Sequence, residues 1–324
     1  MFRIDRNLTA DDLDKALRAD VIEGLSVEPK RLPPKWFYDE RGSALFEEIT
    51  GLPEYYPTRA ERAILERHSQ EIAEAADAVA LVELGSGSGV KTRLLLDAML
   101  GHGRLKRFVP VDVSGAFLAS SAQRVAQDYP GLDVHAVVGD FEHHLGLLPV
   151  NEHEGPQMLA VLGSTIGNQE PDERAGFLRD VHATLDFGDS FLLGVDLVKD
   201  PARLVAAYDD AQGVTAEFNR NVLSVINHRL GGDFDPEGFD HVSRWDAEQE
   251  WIEMRLRSRT HQHVRVADLD LEVEFFPGED MRTEISAKFR REGLTKELDT
   301  AGFTLTHWWT DPAGDFALCL STAG

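Results

Sequence analysis

The stretch that most limits the fold is Ala78-Val79-Ala80-Leu81-Val82-Glu83-Leu84, which breaks into Gly85-Ser86-Gly87-Ser88-Gly89 and resumes as Val90-Lys91-Thr92 and Leu94-Leu95-Leu96. An apolar strand, a glycine loop and a helix start in this order build a nucleotide-sized pocket. Glycine lets the backbone approach a ligand closely, and the first turn of a helix offers unpaired N–H groups to polar atoms. The glycines are spaced G-x-G-x-G. A dinucleotide fingerprint needs G-x-G-x-x-G, with its third glycine where Val90 stands. A nicotinamide-dependent oxidoreductase is therefore disfavoured.

Two further strand ends narrow the choice. Arg107–Asp112 ends in an acid placed to bind a ribose diol, although Asp112 also suits a helix cap for Ser114 onward. Asp133–Val138 runs into Gly139-Asp140-Phe141, where an acid and an aromatic ring could hold adenine. Glycine loop, ribose acid and adenine clamp at successive strand ends are the layout of an S-adenosylmethionine site.

Around this core the pattern alternates. Strands are predicted near 79–84, 107–112, 133–138, 157–162 and 189–196, with helices near 91–100, 114–127 and 171–185. Such alternation implies a parallel sheet that binds ligands at the carboxyl ends of its strands. Helices are also expected at 11–25, on Leu13, Leu17, Val21 and Leu25, and at 58–76. After Leu197 the rhythm changes to helices over 200–230, a loop over 231–246 and strands within 249–276. A helix near 290–301 and strands at 304–309 and 316–321 then restore the first pattern. The expected domains are a discontinuous cofactor domain, 60–197 with 287–324, and a substrate-binding cap, 1–59 with 198–286.

Composition excludes some functions. Asp and Glu number 57 against 33 Lys and Arg, a formal net charge of −24, which repels phosphate backbones and anionic lipid. A small-molecule or protein substrate is expected, with no nucleic acid and no membrane as partner. The single cysteine, Cys319, lies in an apolar run and reads as a buried structural thiol. No apolar run approaches membrane-spanning length and the N-terminus has no signal-like core, so a cytoplasmic protein is expected. His143, His144, His261 and His263 lack companions at metal-ligand spacing, and no metal site is expected.

Four segments are informative without being decisive. Pro33–Asp39 and Gly51–Arg59 are stiff aromatic loops that suit either a lid or ordinary packing. Leu162-Gly163-Ser164-Thr165-Ile166-Gly167-Asn168 follows the fourth strand, where Asn168 could bind a carboxylate or simply cap a turn. Glu284 and Ser286 would share one face of an extended segment, as a pocket pair or a solvated one.

Pro34-Lys35-Trp36-Phe37-Tyr38-Asp39, Leu52-Pro53-Glu54-Tyr55-Tyr56-Pro57-Thr58-Arg59, Glu83-Leu84-Gly85-Ser86-Gly87, Leu162–Asn168, Thr283-Glu284-Ile285-Ser286-Ala287-Lys288-Phe289 and Trp308-Trp309-Thr310-Asp311 together resemble the histidine-specific, S-adenosylmethionine-dependent Nα-methyltransferases. The resemblance covers nearly the whole chain and departs only in the glycine-richer loop Ser88-Gly89-Val90. It implies an α/β fold, a Rossmann-like class I methyltransferase sheet with an inserted α+β substrate domain. It also implies that S-adenosyl-L-methionine trimethylates the α-amine of L-histidine to hercynine in ergothioneine biosynthesis. The alternatives are another small amino acid or amine as acceptor, or a non-catalytic sensor on the same fold.

The roles the resemblance implies are cofactor binding by Gly85, Lys91, Asp112, Asp140 and Phe141, and substrate-carboxylate binding by Asn168 and Tyr208. Tyr55 and Gly163 would shape the pocket. Glu284 and Ser286 would bind the imidazole nitrogens, with Met254 packed on the ring, and Tyr38, near the reacting amine, is the catalytic candidate. A monomer is expected.

Overall fold

A computed structural model of the chain describes residues 1–87, 89–140, 145–149 and 155–324. The chain divides into two compact units. One comprises Met1–Leu8, Pro57–Val198 and Phe289–Gly324; the other comprises Thr9–Tyr56 and Lys199–Lys288.

The first unit is built on an eight-stranded sheet of order β1-β4-β3-β2-β5-β6-β13-β12. Its strands are β1 (Phe2–Arg6), β2 (Ala80–Leu84), β3 (Arg107–Asp112), β4 (Asp133–Val138), β5 (Gln157–Val161), β6 (Ser190–Asp196), β12 (Phe303–Thr310) and β13 (Phe316–Ala323). β1 to β6 run parallel, and β13 lies antiparallel between β6 and β12. β2, β5 and β6 are buried along their whole length, as central strands of a sheet covered on both faces must be. The helices of this unit are α3 (Pro57–Ala76), α4 (Thr92–His102), α5 (Gly115–Asp128), α6 (Pro171–Ala183) and α9 (Arg291–Thr300). This is the mostly parallel α/β sheet expected from the sequence, with one strand added at its edge.

The added strand is β1. The expected cap began at residue 1, but Phe2–Arg6 pairs in parallel register with β4 at the sheet edge. Its residues are almost all exposed, so it carries no burial period for a sequence pattern to reveal.

The second unit contains α1 (Ala10–Ser26), α2 (Glu40–Gly51), α7 (Pro201–Tyr208), α8 (Val214–Leu230) and strands β7 (Phe239–Asp246), β8 (Trp251–Ser258), β9 (Gln262–Val266), β10 (Leu271–Phe275) and β11 (Asp280–Ala287). Thr9 and Asp12 close a reciprocal cap on α1, and Asp39 caps α2 by accepting the Gly42 N–H at 2.7 Å. β11, β8 and β7 form an antiparallel sheet in that order, and β9 pairs with β10. The expected loop over 231–246 holds strand β7 from Phe239 on. Only Phe239 of its residues is buried, so pairing with β8, rather than an apolar pattern, fixes it as a strand.

A bulge in β11 decides which side chains face inward. Asp280 pairs with Arg257 and Arg282 with Arg255, yet Glu284 pairs with Met254, so Thr283 is an extra residue. Beyond it the even-numbered positions turn from the face of Asp280, Arg255 and Arg257 to the face of Met254, Ile252 and Leu256. Thr283 Oγ1 holds the bulge by donating to Asn219 Oδ1 of α8 at 2.6 Å, with the Met254 carbonyl 3.0 Å away.

Candidate active site

In the sheet unit the candidate residues follow the carboxyl ends of β2, β3, β4 and β5, the edge where an open parallel sheet binds ligands. Gly85, Gly87 and Gly89 take φ of 70°, 52° and 68°, a left-handed path that side chains resist. Gly85 donates to the Val111 carbonyl at 2.9 Å, which ties the loop to the neighbouring strand. Asp112 accepts the Gly87 N–H at 3.0 Å on one oxygen and the Ser114 N–H at 2.9 Å on the other. Asp112 thus caps the turn before α5, as one of its two readings has it, and also braces the glycine loop. Burial raises its carboxyl above the ordinary value, and these backbone donors act against that rise. Asp140 lies half-buried after β4, while Phe141, Ser88, His143 and His144 lie outside the described residues.

Beneath the loop are two buried acids. Glu83 accepts from Ser86 Oγ at 2.9 Å and Thr92 Oγ1 at 2.8 Å, and burial pushes it up to about 7. Glu61 of α3, fully buried, pairs with Lys91 and accepts the Gly163 N–H at 2.7 Å. A Cβ on Gly194 would collide with that carboxylate. The sequence reading missed Glu61. Its signal was a charge on the buried stripe of α3 beside Ala60, Ile64 and Leu65. Gly163 is exposed with φ 78°, and Ser164, also left-handed, accepts the Asp196 N–H at 2.9 Å through Oγ. Asn168 closes the short helical turn Thr165–Asn168 and is half-buried.

In the second unit, Glu284 and Ser286 share the inward face of β11, and Met254 stands opposite Glu284. Burial pushes Glu284 up to about 7, and the Lys288 charge works in the other direction. Ser286 Oγ lies 2.7 Å from Tyr208 Oη, and both oxygens accept from Lys288 Nζ, at 2.7 and 3.0 Å. Tyr208 is fixed from behind as well. Its carbonyl accepts from His241 Nε2 at 2.8 Å, and His241 Nδ1 faces Asn219 Nδ2 at 2.9 Å. Burial holds His241 below its ordinary range, which suits this neutral tautomer.

Aromatic rings continue from Tyr208. Tyr55 meets it edge-on at 6.3 Å, Phe46 meets Tyr55 at 6.2 Å, and Phe46 and Phe218 lie 5.6 and 5.4 Å from Tyr38. Tyr38, Tyr55 and Tyr208 are thus joined by Phe46 and Phe218, which the sequence reading did not single out. The two remaining histidines are exposed on or beside β9: His261 lies 3.8 Å from Glu274, and His263 lies 3.5 Å from Glu272. Among the described residues no group of three or more His, Cys, Asp or Glu is placed to hold a metal. Cys319 donates to the Leu193 carbonyl, and burial pushes its thiol up to about 12, far from a reactive thiolate.

Comparison with known proteins bears on this geometry. The family model of histidine-specific, SAM-dependent methyltransferases matches residues 17–323. A histidine N-alpha-methyltransferase of Mycolicibacterium smegmatis is 58% identical over 97% of both chains. A protein of the same name from Mycobacterium tuberculosis is 55% identical over 94% of both. Ergothioneine biosynthesis protein 1 of Neurospora crassa is 31% identical over 87% of this chain and 32% of its own length.

Proposed function

Because the chain belongs to the histidine-specific, S-adenosylmethionine-dependent methyltransferases, we propose that it methylates the α-amine of L-histidine three times to give hercynine, the betaine of ergothioneine biosynthesis. The observation that carries this reading is the set of Glu284, Ser286 and Tyr208 beside the apolar Met254, polar groups matched to a small amino acid with a nitrogen-bearing ring.

The cofactor suits the sheet unit. A carboxylate has about four lone-pair sites, so Asp112 can accept ribose hydroxyls beyond its bonds to Gly87 and Ser114. The glycine loop has no side chain to exclude a ligand at Gly85, Gly87 or Gly89. When bound, S-adenosylmethionine supplies a methyl group made electrophilic by its sulfonium. Gly85 and Lys91 would hold the methionine end, with Lys91 oriented by Glu61, and Asp140 with Phe141 would hold the adenine. Asn168 and Tyr208 would bind the substrate carboxylate, helped by Tyr55 and Gly163. Glu284 and Ser286 would hydrogen-bond the imidazole over Met254.

The residues need supply no strong base. An α-amine titrates near about 8, so the neutral form is accessible at physiological pH and Tyr38 would serve as a hydroxyl relay for its proton. The rings of Tyr38, Phe46 and Tyr55 offer π-faces that favour a quaternary ammonium. Further support covers setting. The charge of −24 disfavours nucleic acid and anionic membranes, no described helix is long and apolar enough to cross a membrane, and Cys319 is a free thiol. We propose a cytoplasmic setting.

Mass spectrometry of histidine with S-adenosylmethionine tests the reaction, with successive gains of one, two and three methyl groups expected. Phenylalanine and leucine should be very poor acceptors, since they leave Glu284 and Ser286 without partners; sites of this kind discriminate by about 10⁴-fold. Methylation of all three amino acids alike would refute histidine specificity. S-adenosylmethionine binding without S-adenosylhomocysteine formation would make the protein a sensor.

A further inference from the structure

Lys288 has no task in the reaction just described, yet it is a buried cation, only 4% exposed, at the junction of two substrate-binding groups. It shares the inward face with Glu284 and Ser286, just past the end of β11. Its ammonium donates to Ser286 Oγ at 2.7 Å and to Tyr208 Oη at 3.0 Å, and it lies over the Tyr208 ring 4.7 Å from the centroid. The two hydroxyl oxygens are themselves 2.7 Å apart, which closes a triangle.

Donor and acceptor capacity constrain that triangle. An ammonium has donors and no lone pair, so both hydroxyls must turn lone pairs toward Lys288. One hydroxyl proton is then used between the two oxygens and the other is directed out of the triangle. We propose that Lys288 is a positioning residue for the amino-acid substrate, fixing the hydroxyl directions of Tyr208 and Ser286 and thereby coupling the carboxylate end of the substrate to its ring end. The inference rests on the roles proposed above for Tyr208 and Ser286.

The coupling has a definite form. When Tyr208 donates to the substrate carboxylate, Ser286 donates to Tyr208, and Ser286 presents only a lone pair to the imidazole. The ring nitrogen facing Ser286 therefore carries its hydrogen, and the proton on the other side is shared between the second ring nitrogen and Glu284. A hydroxyl that accepts from an ammonium is also polarised into a better donor, so Lys288 strengthens the hold of Tyr208 on a carboxylate without touching it.

The test uses the full chain and follows hercynine formation against histidine concentration at saturating S-adenosylmethionine. Lys288→Met should raise the histidine KM about 10- to 100-fold, the range for losing a hydrogen bond to a charged group. S-adenosylhomocysteine affinity by calorimetry should hold, which also shows that the variant is folded. Adding Tyr208→Phe to Lys288→Met should cost far less than Tyr208→Phe alone, because the lysine acts through the tyrosine. An unchanged KM, or full additivity of the two substitutions, would overturn the proposal. If Lys288→Met does not fold, Tyr208→Phe and Ser286→Ala in the parent chain carry the same test: coupled effects on KM support the triangle, and additive effects overturn it. Failure of the parent chain to form hercynine would instead bring down the function proposed above, and this inference with it.

Discussion

Glu83 occupies an unusual position for a charge, near the end of a fully buried strand, where it accepts from two hydroxyls and feels the charges of Lys91 and Glu61. Burial pushes its carboxyl from an ordinary value near 4.5 to about 7. A carboxyl raised on folding is more easily protonated in the native state, so its favourable contribution is complete below the unfolded value and is lost as pH rises through the native one. Glu83→Gln removes that dependence while keeping the shape and one acceptor oxygen, whose two lone pairs can serve Ser86 and Thr92. The variant should gain stability relative to the parent between about pH 5 and pH 8, by up to roughly 3 kcal/mol. Urea midpoints at the two pH values check this, and a constant gap between the proteins would show that Glu83 is not a titrating buried acid. Glu284 makes a second residue-scale case, since its burial carries a desolvation cost that a substrate imidazole would offset. Glu284→Ala should raise the histidine KM and erode discrimination against tryptophan, with cofactor affinity unchanged. Identical kinetics for both amino acids in parent and variant would make it a surface acid. At this scale the sequence was legible where chemistry sits at element ends. Asp112 stood out because it ends a strand, Asp140 because it follows one, and Gly163 because it opens a turn. Glu61 was not, because an acid within a helix reads as part of a solvated face until the helix is packed.

Elements were legible where burial imposed a period. The five central strands of the sheet lie within a residue of their expected spans, since each is an apolar run bounded by turn residues. β1 and β7 were missed because β1 is mostly exposed and β7 mostly half-buried, so neither carries a clear burial period. α2 was missed too, although Asp39 supplies its cap. The bulge in β11 is the subtler case. Alternation placed Glu284 and Ser286 on one face, correctly, but could not say which face, because an extra residue inverts the count. Thr283 decides it through Asn219, and the same network continues through His241 to the Tyr208 carbonyl. Thr283→Val keeps the shape and removes the donor, leaving Asn219 Oδ1 short of a partner. The expected cost is about 1–3 kcal/mol in stability. A rise in histidine KM should accompany it, since both Glu284 and Tyr208 are referenced to this network, while cofactor binding in the other unit should stay unchanged. A folded variant with parental stability and KM would show that the bulge is set by the strand backbone alone.

For the whole molecule the excess of acids matters more than any one pair. The net charge is −24, and Glu61, Glu83, Asp112 and Asp140 all lie at or beneath the carboxyl edge where the cofactor is proposed to bind, with Lys91 as a single opposing charge in that set. S-adenosylmethionine carries one net positive charge near neutral pH, from sulfonium and ammonium against one carboxylate. S-adenosylhomocysteine has lost the sulfonium and is neutral overall. The field of such a protein therefore favours the donor over the spent product, and it does so at a distance, before any contact forms. Histidine and hercynine are both close to neutral overall near pH 7, so the same field does little to either. Long-range attraction of this kind is screened by salt: the Debye length falls from about 30 Å at 0.01 M to about 8 Å at 0.15 M. Contacts inside the site are screened much less. Raising salt across that range should weaken S-adenosylmethionine binding about two- to fivefold while leaving S-adenosylhomocysteine nearly unaffected, as measured by calorimetry on the same preparation. The difference between the two ligands is the informative quantity, because any general effect of salt on the fold would move both together. Equal salt dependence would mean that the donor is distinguished only by local contacts, and that the acidic surface serves solubility rather than the exchange of cofactor for product.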